Sequence, residues 1–262
     1  MISSRAPVGR SRKAAPTSQG QAVGPGSSTT RTTRARSFYY DPSIVVPYAI
    51  TDAEGKARPF VIFVPVKFEP GSKPPVMLFL HGAGERGNNN LDQIMVGLGP
   101  AIWKRKGTFP FVTVIPQCRT GSNWLADGPD AQWALAMLKQ TQAEFGTDPD
   151  RVYLTGLSMG GSGTWSIAAK DPSAWAAIVP MCSGPDSANA AKFAAARLPI
   201  WNFCGDKDRE GTVKANRTMH EALTKAGAIA KYTEYPGVGH NCWDDAYGTD
   251  ALYTWLLEQA RS

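Results

Sequence analysis

Two patterns of apolar residues alternate along the chain from residue 38 onward. Short runs of apolar and β-branched residues predict strands, and continuous apolar runs are typical of strands covered on both faces. The predicted strands are residues 38–40, 44–46, 60–65, 76–80, 111–115, 152–155, 176–179, 199–204 and 231–235. Longer segments carry apolar residues at helical spacing. The predicted helices are residues 91–103, 130–145, 164–170, 188–197, 212–226 and 251–259.

This alternation of strands and helices predicts an α/β fold, with a mostly parallel twisted sheet of about eight strands and helices on both faces. Ligands of such sheets bind beyond the carboxyl ends of the strands. Residues that directly follow a predicted strand are therefore the first candidates for a functional site.

The most informative of these junctions is Gly-Leu-Ser-Met-Gly at residues 156–160, between a predicted strand and a predicted helix. The pattern G-x-S-x-G in this setting is a nucleophile elbow, a sharp turn that exposes a serine hydroxyl above the sheet. Ser158 is the predicted nucleophile. A glycine-rich turn without chemistry is the alternative interpretation of this stretch alone.

A nucleophilic serine needs a base, and the chain has three histidines, His81, His220 and His240. His220 falls within a predicted helix, at a position that reads as surface. His240 lies in a loop after the last predicted strand, which fits the chain order Ser…Asp…His of this type of site. We therefore predict that His240 is the base and that His81 is structural.

Two carboxylates, Asp206 and Asp208, follow the predicted strand 199–204 and could orient His240. Asp206 comes directly after Gly205, where a short side chain often bonds its own backbone. Asp208 lies further out, far enough to turn back toward the histidine loop. We predict that Asp208 is the orienting acid.

An oxyanion hole requires two backbone N–H groups beside the nucleophile. One is expected from Met159, the residue after the serine, and the other from Ala83 in the glycine-rich loop after the strand 76–80. Glycine-rich loops often serve only as turns, but this one follows the expected strand.

Together these segments resemble the α/β-hydrolase fold over residues 38–261. Within that fold the chain is similar to the esterase branch that contains feruloyl esterases, polyhydroxybutyrate depolymerases and predicted peptidases. The matching segments are LFLHGAGERG at 78–87, PQC at 116–118, GLSMGG at 156–161, GDKD at 205–208 and GHNCW at 239–243. The resemblance implies a serine hydrolase without metal or organic cofactor, and it places the acid at the last position of G-x-x-D, which is Asp208. The Val-Pro that usually follows this acid is replaced here by Arg209-Glu210-Gly211.

Two tryptophans are candidates for substrate binding. Trp124 follows the loop after the strand 111–115, and Trp243 stands three residues past His240. Tryptophan at a cleft would suit a flat or aromatic acyl group. Packing beneath the loops is the alternative for each.

Charge and composition divide the chain into a tail, residues 1–37, and a catalytic domain, residues 38–262. The net charge is +6, but residues 1–36 hold seven basic residues and no acid, which leaves 21 basic and 22 acidic residues elsewhere. A nearly neutral domain argues against a nucleic-acid partner. The tail is poor in large apolar residues and is predicted to be disordered. It shows no Sec signal peptide, so a cytoplasmic location is expected by default, with secretion as the alternative.

Four cysteines follow predicted strands. Cys204 and Cys242 follow neighbouring strands, which leaves two possibilities, a Cys204–Cys242 disulfide or four free thiols.

Many hydrolases of this fold insert a cap domain after the sixth strand. Here only residues 183–198 separate the predicted strand 176–179 from the predicted strand 199–204, so we expect an open site without a large cap.

The sequence as a whole predicts a serine carboxylic ester hydrolase that forms an acyl-enzyme intermediate and has an open cleft suited to bulky, aromatic or polymeric esters. A serine peptidase on the same fold is the alternative. A non-catalytic binding domain is disfavoured by the intact serine, histidine and acid.

Overall fold

The computed structural model describes residues 44–67 and 71–261. The predicted tail, the predicted strand at residues 38–40 and the first residues of the predicted catalytic domain lie outside the described residues. The strands are β1 (Ile44–Thr51), β2 (Ala57–Val64), β3 (Val76–Leu80), β4 (Val112–Pro116), β5 (Val152–Leu157), β6 (Ala177–Met181), β7 (Ile200–Gly205) and β8 (Ala230–Tyr235). The α-helices are α1 (Leu98–Lys104), α2 (Pro129–Phe145), α3 (Met159–Lys170), α4 (Ala190–Ala195), α5 (Glu210–Lys225), α6 (Trp243–Gly248) and α7 (Asp250–Leu257).

The eight strands form one sheet in the order β1-β2-β4-β3-β5-β6-β7-β8. β1 and β2 are antiparallel to their neighbours, and every pairing from β4 to β8 is parallel. This arrangement confirms the predicted mostly parallel sheet. The carboxyl ends of β3 to β8 lie at one edge, where the loops that carry the candidate site residues begin.

Helices cover both faces of the sheet, which explains the continuous apolar sequences of the central strands. Every residue of β3, β4, β5 and β6 is buried. One core cluster joins the sheet to α2, α3, α4 and α5, and is called the α3-side core here. The other joins the opposite face to α1, α6 and α7, and is called the α6-side core.

The edge with the candidate site has no cap domain between β6 and β7. That connection holds a short 3₁₀ turn, Ser187–Asn189, and the six-residue helix α4. The expected open architecture is therefore confirmed. Within the part of the chain that the structure describes, no helix has the length and apolar character that crossing a membrane requires.

The four cysteines are free and buried, so the Cys204–Cys242 disulfide is wrong and the four-thiol alternative holds. Cys182 and Cys242 both pack in the α6-side core. The Cys204 thiol lies against the Asn216 side chain instead, with 3.8 Å between Sγ and Nδ2. Sequence spacing placed the correct neighbouring strands together but did not specify which way their side chains turn.

We expect thiol titration of denatured, unreduced protein to find four reactive thiols. Burial raises the pKa values of Cys118, Cys182 and Cys204, and this keeps the thiols protonated and slow to oxidise. A matched sample reduced before denaturation is the control, and both samples should give the same count. A count of two in the unreduced sample would contradict the free-thiol arrangement.

Candidate active site

The turn between β5 and α3 holds Ser158 in an unusual backbone conformation. Its φ is +53°, in a region that residues with side chains seldom adopt. Glycines on both sides make the turn possible. A Cβ on Gly156 would lie 2.4 Å from the Gly160 carbonyl oxygen, and a Cβ on Gly160 would lie 1.9 Å from the Leu80 carbonyl oxygen. The strained serine at the apex has the geometry expected of a nucleophile elbow.

The structure brings the three predicted triad residues into one hydrogen-bonded chain. His240 Nε2 lies 2.8 Å from Ser158 Oγ, and His240 Nδ1 lies 2.8 Å from Asp208 Oδ2. The Asp208 side chain is fully buried, whereas that of His240 is 36% exposed. A neutral His240 that donates from Nδ1 to the carboxylate leaves Nε2 free to accept the serine proton. The arrangement can therefore activate a hydroxyl nucleophile.

The second carboxylate of this loop, Asp206, makes a different contact. Its Oδ1 accepts a hydrogen bond from the Gly237 N–H at 2.7 Å, in the loop that leads to His240. Sequence reasoning had expected Asp206 to bond its own backbone. The structure shows instead that it binds the backbone of the loop that leads to His240. Asp208, whose Oδ2 binds His240, also uses its other oxygen: Oδ1 accepts a hydrogen bond from the Arg209 N–H at 2.7 Å.

The two backbone groups proposed for the oxyanion hole begin adjacent helical segments. Ala83 is the first residue of the 3₁₀ helix Ala83–Glu85, and Met159 is the first residue of α3. N–H groups at such positions have no acceptor within their own helix. The two segments are close, because a Cβ on Gly82 would lie 3.7 Å from Ser158 Cβ. Both N–H groups therefore belong to backbone segments close to Ser158.

His81 is the first residue of the glycine-rich loop 81–87 after β3. The residue is fully buried, its Nε2 accepts from the Cys118 N–H at 2.9 Å, and its Nδ1 donates to the Gly82 carbonyl at 2.6 Å. These partners fix a neutral imidazole, and burial lowers the pKa of His81 from 6.5 to about 4. The predicted structural role agrees with this environment.

The depressed pKa of His81 makes stability depend on pH. Below pH 6.5 the unfolded state binds a proton that the folded state does not bind until about pH 4. The free energy of unfolding should therefore fall as the pH is lowered through this window, by up to about 3 kcal/mol. Urea unfolding at several pH values measures the effect. His81→Gln should flatten this dependence, and His220→Gln, the matched control, should keep it. An equally steep dependence in His81→Gln would contradict the account.

Two further side chains shape the glycine-rich loop after β3, and sequence reasoning had given neither of them a role. Gln117 Nε2 donates to the Glu85 carbonyl at 3.1 Å, and Gln117 Oε1 accepts from the Asn90 N–H at 2.7 Å. The Glu85 carboxyl folds back over the loop, where Oε2 lies 3.0 Å from the position of a Cβ on Gly82, and burial raises its pKa. An acid three residues after a helix N-cap is the sequence signal that could have revealed Glu85.

The two tryptophans differ in their surroundings. Trp124 is 1% exposed, donates from Nε1 to the His81 carbonyl at 3.0 Å, and packs edge-on against the His81 ring. Its predicted place on the cleft wall is therefore wrong, because the indole is buried and its N–H binds the first residue of the glycine-rich loop after β3. Trp243 is partly exposed, with its ring edge-on to that of His240 and 5.6 Å between centroids. It remains a candidate for substrate contact.

Comparison with known proteins agrees with this architecture. The model of the dienelactone hydrolase family matches residues 100–249. The chain is 32% identical over 189 residues to a bifunctional acetylxylan esterase/xylanase of Neocallimastix patriciarum, covering 68% of this chain and 26% of that protein. It is 30% identical over 124 residues to poly(3-hydroxyalkanoate) depolymerase C of Paucimonas lemoignei, covering 42% and 28% of the two chains. A crystal structure of a thermostable esterase superimposes with a TM-score of 0.76 at 30% identity, covering 83% of this chain and 63% of that one.

The fold, the elbow and the family match together define an α/β hydrolase. More narrowly, the chain belongs to the dienelactone hydrolase family. The predicted superfamily is thereby confirmed, and the family match adds an assignment that the sequence motifs had not specified. The chain spans less than two thirds of the length of each relative described above.

Proposed function

We propose that this protein is a serine carboxylic ester hydrolase. The observation that carries the proposal is the hydrogen-bonded chain Ser158–His240–Asp208, with 2.8 Å at both contacts. In the first step Ser158 Oγ attacks the ester carbonyl carbon while His240 Nε2 accepts the serine proton. The imidazolium that forms is stabilised by the buried Asp208 carboxylate, which also fixes the ring orientation.

In this proposal the N–H groups of Ala83 and Met159 donate hydrogen bonds to the carbonyl oxygen and stabilise the negative charge that develops on it. The tetrahedral intermediate collapses when His240 returns its proton to the departing alcohol, which leaves an acyl group on Ser158. Water then attacks the acyl-enzyme, with His240 again accepting the proton and returning it to Ser158. Apart from the attacking water, every group named in these steps is a side chain or a backbone N–H of this chain.

The names of two similar proteins and the absence of a cap between β6 and β7 both favour an ester with a bulky acyl or alcohol part. The names of two relatives specify acetylxylan and poly(3-hydroxyalkanoate), both of which are polymeric esters. The short connection between β6 and β7 places no cap over Ser158, so a bulky or polymeric ester could reach it. Trp243, beside His240, could contact a flat group of such a substrate.

The test is a comparison of matched esters and amides of the same acyl groups. We expect p-nitrophenyl esters to be hydrolysed with a kcat/KM at least about a hundredfold above that of the matching p-nitroanilides, because p-nitrophenoxide is a much better leaving group than p-nitroaniline or its anion. Preferential cleavage of the anilides would favour the serine peptidase instead. No turnover of either series would refute a hydrolase.

The open site also predicts ordinary saturation kinetics with long-chain esters. Without a cap to displace, the rate should rise smoothly through the concentration at which the ester forms micelles. A soluble short-chain ester assayed over the same range is the control. A sharp increase in rate at the micellar threshold for the long-chain ester alone would contradict an open site.

A further inference from the structure

We propose that Gln117 is a positioning residue for the oxyanion hole, and that its carboxamide holds the backbone turn that presents the Ala83 N–H to the reacting carbonyl. Gln117 directly follows β4 and is 7% exposed. It belongs neither to the triad nor to the two N–H donors. This inference rests on the proposed esterase function and adds a residue to its mechanism.

The carboxamide of Gln117 joins two parts of the loop that follows β3. Its Nε2 donates to the Glu85 carbonyl at 3.1 Å and to Asn89 Oδ1 at 3.0 Å. Its Oε1 accepts from the Asn90 N–H at 2.7 Å. A primary amide has two N–H hydrogens, so both donors of this side chain are used. One buried group therefore connects residue 85 with residues 89 and 90.

The loop is shaped around this side chain. A Cβ on Gly87 would lie 3.0 Å from Gln117 Nε2, so a side chain at residue 87 would press against the carboxamide. Asn90, whose N–H binds Gln117, has a φ of +55°, in a region that residues with side chains seldom adopt. The close approach at one residue and the unusual backbone at another indicate that the path of the loop depends on Gln117.

Ala83 lies between two points at which the segment after β4 holds the glycine-rich loop. At one end the Cys118 N–H donates to His81 Nε2 at 2.9 Å. At the other end Gln117 holds the carbonyl of Glu85, the last residue of the 3₁₀ helix that Ala83 begins. Hydrogen bonds within a 3₁₀ turn have poor geometry, so the orientation of this turn depends on outside contacts. Because β4 is buried throughout, Gln117 fixes the turn relative to a rigid strand.

The placement of the Ala83 N–H matters because the negative charge appears only during the reaction. A donor stabilises the transition state when it already points at the developing oxyanion. Moving a positioned group by about 1 Å can cost about a hundredfold in rate. Loss of one anchor of the turn should therefore lower kcat, whereas KM should change little, because the affected hydrogen bond is made in the transition state.

Gln117→Met removes the hydrogen bonds with little change of volume, since both side chains are unbranched and similar in length. The backbone contact between the Gly87 N–H and the Cys118 carbonyl, at 2.9 Å, does not involve this side chain, so the variant should fold. Gln117→Glu is a second variant. It keeps an acceptor for the Asn90 N–H and loses the donor to the Glu85 carbonyl.

Gln259→Met is the matched control, because it makes the same change away from the site. Gln259 Nε2 donates to the Trp255 carbonyl at 3.0 Å. The Gln259 carbonyl accepts from the Tyr153 hydroxyl, and Tyr153 lies near the start of β5, whereas Ser158 follows its end. We expect Gln259→Met to keep the wild-type kinetics.

The measurement compares p-nitrophenyl acetate with O-p-nitrophenyl thionoacetate, in which sulfur replaces the carbonyl oxygen. Sulfur is a weak hydrogen-bond acceptor, so the thionoester gains less from the N–H donors. For the oxygen ester, Gln117→Met should lower kcat by at least about tenfold and keep KM within about threefold. The ratio of kcat/KM between the oxygen ester and the thionoester should fall at least about fivefold. Gln117→Glu should shift this ratio in the same direction even if Gln117→Met folds poorly.

Two results would overturn the assignment and leave the proposed function intact. Equal losses on the two esters in a folded Gln117 variant would indicate less active protein rather than a misplaced donor. Wild-type kinetics in folded Gln117→Met and Gln117→Glu would show that the oxyanion hole does not depend on this carboxamide. A wild-type protein that hydrolyses neither ester would instead refute the proposed function, and the inference with it.

Discussion

Replacing Ser158 with alanine should lower kcat for p-nitrophenyl acetate by at least about 10⁴, because loss of a serine nucleophile costs about 10⁶ in a well-studied protease triad. The hydroxyl lies 2.8 Å from His240 Nε2, and no other hydroxyl is hydrogen-bonded to that nitrogen among the described residues. Steady-state hydrolysis of the wild type and the variant, at equal protein concentration, measures the loss.

The matched control for this variant is Ser173→Ala, which removes a hydroxyl from the exposed turn after α3. We expect its kcat to stay within about twofold of the wild type. Both variants should unfold cooperatively near the wild-type Tm, since Ser158→Ala removes one oxygen and keeps the backbone. If Ser158→Ala kept a tenth or more of the wild-type rate, Ser158 would not be the nucleophile.

The second large effect concerns the two aspartates of one loop. Asp208→Asn should lower kcat by at least about 10², because the amide cannot hold the imidazole in the required tautomer and stabilise its charged form as a carboxylate does. Asp206→Asn should cost less than about tenfold. An asparagine oxygen can still accept the hydrogen bond from the Gly237 N–H, which Asp206 accepts at 2.7 Å in the wild type.

Each aspartate variant is the matched control of the other, since both make the same isosteric change two residues apart. Thermal unfolding of both proteins checks that differences in rate do not come from unfolded protein. Equal losses in the two variants, or a larger loss in Asp206→Asn, would contradict the assignment of Asp208 as the partner of His240.

Much of the fold was predictable because the information is local. The continuous apolar runs that became β3 to β6 are buried on both faces, and such sequences occur where helices cover a sheet on both sides. The direction of the parallel strands then places the ends of β5, β7 and β8 at one edge. Ser158, Asp208 and His240 all follow those ends, which is why chain order alone sufficed to group them.

Contacts that depend on side-chain direction were not predictable in this way. Trp124 follows a strand end just as the triad residues do, yet it turns down to bond the His81 carbonyl. Cys204 turns its thiol toward the Asn216 side chain, whereas Cys242 packs in the α6-side core. In both cases strand order defines the neighbourhood, but the choice of partner depends on the packing of loops far apart in sequence. Spacing along the chain carries little of that information.

The hydrogen bonds that hold the loops around the candidate site in place were likewise not predictable from the sequence. Gln117 binds the loop after β3 through Glu85 and Asn90, about thirty residues earlier in the chain. Asp206 binds the loop that carries His240, 31 residues later. Neither contact follows a local motif. Both bear on catalysis because the proposed mechanism requires the oxyanion donors and the imidazole to be held in place before substrate arrives.

The most direct test of the central claim, that Ser158 is a nucleophile activated by His240, is covalent labelling with a fluorophosphonate followed by peptide mass spectrometry. We expect one phosphonyl group per chain, on the peptide that contains Ser158, with loss of esterase activity in proportion to labelling. Ser158→Ala should stay unlabelled, and His240→Ala should label far more slowly than the wild type. Ester hydrolysis that continues in a fully labelled sample, or a label on another residue, would contradict the account.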